Sequence, residues 1–439
     1  MIDRFREIQE LLNGMGGLRA WAVTETVRHE AQLTQALRVR DSVRSVAETR
    51  WTVRLFVPVS AADGRPLQGE GVLDIPPGES AATVRRRLDD VRARALLAPG
   101  ALWNLPDGGT PARTVLCWDE ATARDPWPAL EATAADILRA ADEEPSAYSS
   151  HFELSFEDKQ LRLANSQGLE REGRASAFTV YAVVIAESGG RAFDHKIEIH
   201  RRSPSQVDMP KEIHDGCKFA RDCLAAGSPQ AGRFDITADG PVFDNLFDPI
   251  IANADAAYLM SGMSRFKPGE RICSDGPGTP LTLVSDGTVP MGARTLPFDK
   301  DGLPAASYDL VRDGVFIRHL ATKPYADFLD LPPTGAAANL VVNSGTETRA
   351  ELQERAGGMF YYIAAFSFFI PDSITGNFTG EIRLGYEYGP NGVRPVKGGA
   401  VAGNLFRDLP GVRFSAERTD RGFYYGPELL RFSNLVVSA

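Results

Sequence analysis

Histidine and cysteine side chains close together in the sequence are the first candidates for chemistry, because they bind metal ions and act as bases or nucleophiles. His214 and Cys217 lie three residues apart in a predicted helix, so they share a face. Cys217 also continues an apolar stripe formed by Ile213, Ala220 and Leu224. The stripe predicts that Cys217 is a core residue rather than a ligand.

Two further histidines, His195 and His200, lie in the segment HKIEIH, whose alternating pattern predicts a strand. Residues five apart on a strand point to opposite faces, so these two are not expected to bind one ion. Cys273, in RICSDG, has no neighbouring histidine or cysteine. The pattern therefore predicts no metal site in this chain.

Other catalytic motifs are also missing from the sequence. His29-Glu30 is the single His-Glu pair, and no histidine follows it within a helical turn. No G-x-S-x-G segment is present, and the glycine-rich segments GMGG and GGTPAR have no lysine to bind phosphate. A Ser/His/Asp site assembled from distant residues stays open.

Composition narrows the class of protein. A length of 439 residues predicts two or three domains, and the net charge of −10 argues against nucleic-acid binding. The four cysteines form no CxxC pair, which is typical of a reducing compartment. The N-terminus lacks the apolar run of a signal peptide, and no window approaches 18 apolar residues. A cytoplasmic protein with no membrane association is predicted.

A domain boundary is predicted at Glu144-Pro145, and the helices and strands on either side of it must position any site. Before this point, predicted helices at 80–97 and 126–143 follow extended runs at 20–32 and 50–59, which indicates an α/β domain over residues 1–145. Residues 146–439 read as a larger, antiparallel β-rich domain with inserted helices. The predicted fold class is α+β.

The segment from Ser373 to Asn404 is dense in glycine and in alternating apolar residues. Alternation predicts a strand with Ile382, Leu384, Tyr386 and Tyr388 in the core and with Glu381, Arg383 and Glu387 on the other face. Asn391-Gly392 predicts a hairpin turn, because both residues tolerate positive φ.

The same segment, TGNFTGEIRLGYEYGPNGVRPVKGGAVAGNL from Thr375, resembles the C-terminal signature of the TldD/TldE (PmbA) family of metallopeptidase-like proteins. The string LVSDGT from Leu283, with the following PFDKDG and DGV, and the turn NSQGL from Asn165 also resemble that family. The resemblance extends over nearly the whole chain.

The resemblance implies a role that depends on a partner. TldD-like members carry an HExxxH motif and a cysteine that hold zinc, with the glutamate as general base, whereas TldE-like members lack them and pair with the catalytic subunit. The motif's position falls at about 246–254, where this chain has LFDPIIANA, without histidine or cysteine. The resemblance therefore implies a TldE-like subunit with no cofactor and no catalytic residue of its own. Zinc is expected in the HExxxH-bearing partner of a heterodimer.

The expected substrate is a peptide, held as an added strand between subunits. Asn377, Thr379 and Arg383 are the predicted substrate-binding residues. Other roles stay open: a complex that matures natural-product precursor peptides, a peptide-binding protein without an enzymatic partner, and an enzyme that acts alone. The aromatic run at 360–369 is predicted as core or as subunit interface.

Overall fold

The computed structural model describes residues 3–240, 242–356 and 358–439. Up to residue 225 the elements are α1 (Arg4–Asn13), β1 (Ala20–Ala36), β2 (Val39–Ser60), β3 (Pro66–Ile75), α2 (Ala81–Ala95), β4 (Pro99–Gly100), α3 (Glu120–Arg124), α4 (Trp127–Asp142), β5 (Ala147–Asn165), β6 (Glu170–Ser188), β7 (Arg191–Arg201) and α5 (Met209–Ala225).

The remaining elements follow in chain order. They are β8 (Gly232–Asp239), α6 (Val242–Leu246), α7 (Asp248–Ala254), α8 (Ala256–Met260), β9 (Leu283–Asp286), β10 (Ser307–Arg312), β11 (Val315–Phe316), α9 (Lys323–Leu329), β12 (Asn339–Val342), α10 (Arg349–Glu354), β13 (Phe360–Phe369), β14 (Asn377–Gly389), β15 (Gly392–Val396), β16 (Ala400–Asn404), α11 (Leu405–Asp408), β17 (Arg413–Phe414), β18 (Arg418–Asp420), β19 (Tyr424–Pro427) and β20 (Leu429–Ser438).

The first sheet is antiparallel, in the order β4-β3-β2-β1-β5-β6-β7. Alternation along its long strands puts one set of side chains, such as Val53 and Leu55 of β2, into a core under α1 and α2. A second core joins β5, β6 and β7 to α4 and α5. The helices predicted at 80–97 and 126–143 are confirmed as α2 and α4.

Residue 145, the predicted domain boundary, lies between α4 and β5. The first sheet continues across this point, because β1 pairs with β5 from Ala22↔Asn165 to Ala36↔His151. Strands from both sides of residue 145 thus share one sheet. The division at 145 stays a prediction.

The last 210 residues or so build two more sheets around one large core. In one of them, β13, β8, β20, β16 and β14 pair in turn, and β14 pairs back to β13, so the ladder closes on itself. The other sheet has the order β11-β10-β9-β12-β19-β18. Antiparallel pairs predominate, which confirms the predicted α+β class with a β-rich second part.

The predicted hairpin after β14 is present, but its turn is placed one residue earlier than expected. Gly389 pairs with Gly392, so Pro390 and Asn391 are the two central residues. Gly392 has a φ of +100°, and Asn391 is not among the residues with positive φ. Proline at the second position and glycine at the fourth suit a type I turn.

No helix in the described ranges is long and apolar enough to cross a membrane.

Candidate functional site in the cleft beside helix α5

Helix α5 forms one wall of the largest cleft described below. Asp208 caps its first turn by accepting a hydrogen bond from the Lys211 amide, and a proline occupies the first turn, where no intrahelical N–H partner is needed. Its buried face, which includes Ile213 and Cys217, packs on the first sheet. This confirms the prediction that Cys217 is a core residue.

Gly216 lets α5 approach β7 closely. A Cβ atom at this position would lie 2.7 Å from Ile197 Cδ1 and 3.4 Å from His195 Cδ2. The approach fixes the distance of the helix from the sheet, so the opposite face of α5 is held in a defined position over the closed sheet of the second part.

The cleft lies between this exposed face of α5 and the strands β8, β13 and β14. Its volume is about 830 Å³. Charged side chains of α5, such as Lys218, face Tyr362, Tyr386 and Tyr388 of the strands, and Asp239 lies at the end of β8. Tyr362 and Tyr386 are cross-strand neighbours, with their rings stacked at 5.8 Å. The lining is therefore aromatic and charged, with few aliphatic side chains.

A hydrogen-bonded group connects the two walls of the cleft. Tyr386 Oη donates to Asp222 of α5, and Lys218 Nζ bonds both to Asp222 and, at 3.2 Å, to Tyr386 Oη. The Lys218 ammonium also lies 5.2 Å from the centre of the Tyr386 ring. Burial raises the pKa of Tyr386 above its ordinary value, and the bond to Asp222 adds to the shift.

A second group surrounds Asp239. Tyr362 Oη donates to its carboxylate at 2.7 and 2.8 Å, and Arg349 Nη1 donates to it at 2.9 Å and to Glu428 at 2.6 Å. Burial raises the pKa of Asp239, and the bonds from Tyr362 and Arg349 oppose that shift. Burial also raises the pKa of Tyr362, with a further contribution from the Asp239 charge.

These shifts determine what the cleft can do. Tyrosines with a raised pKa remain protonated at neutral pH, so they act as hydrogen-bond donors rather than as bases. On the buried face of α5, behind the lining of the cleft, burial raises the pKa of Cys217 to about 11 and that of Cys223 to about 12, which keeps both as thiols instead of nucleophilic thiolates. The arrangement suits binding and orienting a polar chain more than covalent catalysis.

The predicted substrate-binding residues do not line this cleft. Asn377 is exposed, and its Oδ1 accepts a hydrogen bond from Asn404 Nδ2 at 2.8 Å, while exposed Thr379 pairs through its backbone with Ala402. Arg383 lies about 20 Å farther along the strand from Asn377. It donates to the backbone oxygen of Asp194 at 2.9 Å. Their role in substrate binding stays a prediction.

The face of β14 that was predicted to be core is divided. Ile382 and Leu384 are buried, as predicted. Tyr386 and Tyr388 are half-buried and line the cleft, so their assignment to the core was wrong. The physical reason is that β14 extends past the end of the core, where α5 covers the sheet only partly and leaves the cleft. Strict alternation gives the face of a residue but not what covers that face.

Sequence reasoning missed the remaining groups of the cleft. Asp239, Arg349 and Lys218 come from a strand end, a short helix and a long helix that are far apart in the chain. Tyr362 lies in the aromatic run predicted as core or interface. Its hydroxyl was the sequence feature that could have indicated a polar contact here, because a tyrosine can form a hydrogen bond while its ring stays buried.

Within residues 246–254, the position that the resemblance assigns to the zinc motif, Phe247 packs in an apolar stack with residues from outside this range. Phe243 and Phe247 lie against Tyr424 with ring centres 4.7 and 6.3 Å away, and Ile250 is fully buried. Pro249 lies in the first turn of α7 and begins that helix rather than interrupting one. The segment includes no histidine or cysteine, and its one carboxylate is that of Asp248.

The histidines are also dispersed. His195 stacks on Phe219 with ring centres 4.0 Å apart, and burial, with a smaller contribution from the Arg383 charge, lowers its pKa to about 4. His200 is exposed and lies 3.1 Å from Glu198, whereas His214 bonds to Glu144 at 2.7 Å. Across the described residues, no group of three histidine, cysteine or carboxylate side chains is placed to hold a metal ion.

Comparison with protein-family models gives two matches in this chain. Residues 124–215 match the PmbA/TldA metallopeptidase central domain, and residues 231–439 match the PmbA/TldA metallopeptidase C-terminal domain. The second range contains the closed sheet with Tyr362 and Tyr386, and the first contains the cleft residues of α5 up to Asp215. The cleft therefore lies between the two matched regions.

Individual relatives agree with these matches. A protein from Methanothermobacter thermautotrophicus described as a metalloprotease is 28% identical over 289 residues, which cover 56% of this chain and 58% of that protein. The match thus spans a little over half of the relative's length.

Two solved structures share the fold over nearly the full length of the chain. TldE from Thermococcus kodakarensis has a TM-score of 0.82 at 15% identity, covering 99% of this chain and 100% of its own. A Thermotoga maritima protein described as a candidate modulator of a DNA gyrase has a TM-score of 0.83 at 15% identity, covering 100% of both chains. With the fold shared end to end and two family domains matched over more than half of its residues, this chain belongs to the PmbA/TldD family of metallopeptidase-like proteins.

Proposed function

We propose that this chain is the non-zinc, TldE-like subunit of a heterodimeric peptidase. The observation that carries the proposal is that Phe247, within the position assigned to the family's zinc motif, is buried in an aromatic stack with Phe243 and Tyr424. In this proposal an HExxxH-bearing partner supplies the zinc-bound water and its general base, and this chain contributes no metal ligand to the reaction.

In this proposal the chain shapes the chamber and orients the peptide. The cleft beside α5 supports this role, since its charged side chains, such as Lys218, can bond a peptide backbone or its polar side chains. Tyr362 and Tyr386 donate their single hydroxyl hydrogens to Asp239 and Asp222, so they offer a peptide their ring faces and an accepting oxygen. The four cysteines are free, in line with a reducing compartment, and we expect the complex in the cytoplasm.

The test is reconstitution with a candidate HExxxH-bearing subunit. Peptide cleavage should be absent with the isolated chain and should appear when both subunits are co-expressed and purified together. A partner in which the motif glutamate is changed to glutamine should still co-purify but should lose cleavage, which controls for contaminating peptidases. Equal turnover by the isolated chain and by the mixture would instead identify an enzyme that acts alone.

Arg383→Ala addresses the predicted substrate contacts within that complex. The ion pair with Asp194 is partly exposed, with an N–O distance of 3.3 Å, so its loss should cost about 0–1 kcal/mol of stability. We expect an almost unchanged melting temperature and normal partner binding, but slower peptide turnover. Turnover at the wild-type rate would mean that Arg383 contacts β7 but does not bind the substrate.

A further inference from the structure

Two adjoining cavities lie away from the cleft beside α5, where the segments 294–308 and 333–338 meet. Their volumes are about 170 and 430 Å³. Leu303, Pro304, Tyr308 and Thr334 line both, so the smaller cavity continues into the larger one. Together they form a depression with a narrow end and a wider, more polar end that includes Asn104 and Lys323.

Asp299 is the acidic residue in the lining of the smaller cavity. Its Oδ1 accepts hydrogen bonds from the backbone N–H groups of Asp301 and Leu303, both at 2.9 Å, which fixes the orientation of the carboxyl group. Its Oδ2 has no hydrogen-bond partner in the described part of the chain. A Cβ at Gly335 would lie 3.5 Å from this oxygen, so the absence of a side chain there leaves it open to the cavity.

The rest of the smaller cavity is largely apolar. Leu296, Phe298, Ala306 and Ala337 contribute to its wall. A cavity of about 150 Å³ is large enough to hold benzene, so this one accommodates a side chain of similar size. A fixed carboxylate in an apolar pocket selects a ligand that carries a positive charge next to an apolar group.

The charged residues around Asp299 leave its carboxylate able to pair with a ligand. The neighbouring carboxylate of Asp301 is bonded by Arg54 at 2.7 Å. Arg294 lines the same cavity, with its guanidinium 4.3 Å from the centre of the Phe423 ring. Burial, with the Asp301 charge, raises the pKa of Asp299 to about 6, so the group is mainly ionised at neutral pH.

We propose that these cavities bind the free amino terminus of a peptide, with its ammonium group at Asp299 Oδ2 and its first side chain in the apolar pocket. The following residues then run past Tyr308 into the wider cavity. The continuation of the pocket favours a peptide over a single amino acid. Binding at this position needs no partner subunit, so it is tested separately from the proposed function.

The experiment is calorimetric titration of the isolated full-length chain with leucyl-alanyl-alanine amide and with its N-acetylated form. Acetylation removes the positive charge and leaves the apolar side chain. The free peptide should bind about tenfold to a hundredfold more tightly, the difference expected for a hydrogen bond to a charged group. Equal affinities, or no binding of either peptide, would overturn the proposal.

Asp299→Asn is the matched variant, because the asparagine carbonyl can still accept both backbone hydrogen bonds. It should remove the preference for the free amine, whereas Asp309→Asn should keep it, since Asp309 pairs with Arg312 and lines neither cavity. Binding to the wild-type chain should be strongest between pH of about 6 and about 8, where the carboxylate and the peptide ammonium are both charged. A preference that survives Asp299→Asn would exclude this site.

Discussion

At the scale of single residues, Leu384 shows how burial separates neighbours on one strand. It is fully buried at the edge of the cleft, whereas Tyr386, two residues later, is half-buried. We expect Leu384→Ala to lower the free energy of unfolding by about 2–5 kcal/mol, because it removes buried methyl groups and leaves a cavity. Urea unfolding followed by circular dichroism measures the change.

Ile374→Ala is the control for that measurement. Ile374 is 53% exposed, so its truncation should change stability by no more than about 0.5 kcal/mol. Similar losses for the two variants would mean that β14 is not packed as described.

Asp299 provides a prediction about pH. Its pKa in the folded chain, about 6, lies above the ordinary value of 3.8, so the folded state holds the proton more tightly than the unfolded state. Ionisation therefore costs stability above pH 6, and the cost is relieved as the pH falls through 6 towards 4. Asp299→Asn should raise the free energy of unfolding at pH 8 by on the order of 1–3 kcal/mol, and the difference should disappear near pH 4. A gain that is independent of pH would have another cause.

At the scale of elements, the contact between α5 and β7 positions one wall of the cleft. Alanine at Gly216 should favour the helix by up to about 1 kcal/mol, but its Cβ would collide with Ile197 Cδ1. Ile197→Val removes that methyl group. We therefore expect Gly216→Ala to be more favourable by about 0.5–3 kcal/mol in the Ile197→Val background than in the wild-type chain.

A double-mutant cycle of unfolding free energies measures this coupling. The two single variants and the double variant must unfold in one transition for the comparison to hold. Additive effects within about 0.3–0.5 kcal/mol would show that α5 does not rest on Ile197 at Gly216.

At the scale of the whole molecule, the proposed division of labour predicts the metal content. The purified chain should contain far less than one zinc ion per molecule, because no three histidine, cysteine or carboxylate side chains of its described residues are placed to hold a metal ion, and residues 246–254 include no histidine or cysteine. Elemental analysis of the isolated chain and of its complex with an HExxxH-bearing subunit should place the zinc in the complex. About one zinc ion per isolated chain, lost on changing His214 or Cys217, would contradict the TldE-like assignment.

Across the whole molecule, local sequence patterns were sufficient to predict some helices and strands but not their exact ends. The helices at 81–95 and 127–142 and strand β1 were predicted within a few residues at each end, because each buries an apolar face whose period appears in the sequence. Strand β2 begins at Val39, whereas the run is predicted only from residue 50, because its first half is exposed and carries no alternating pattern. The hairpin after β14 is predicted from the sequence, but its central residues are Pro390 and Asn391 rather than Asn391 and Gly392. Turn residues mark a reversal more reliably than its register.

The sequence by itself determined the family, the α+β class and the lack of histidine and cysteine at 246–254, because these depend on the identity and order of residues. Only the tertiary structure decided which residues meet. Asp239, Tyr362 and Arg349 converge from three elements, and Asp222 reaches Tyr386 across more than 160 positions. Such contacts depend on how far α5 lies from the first sheet, on which it packs, and from the closed sheet beside it. Gly216 and the closure of that second sheet set these distances. No periodicity in the sequence encodes that distance.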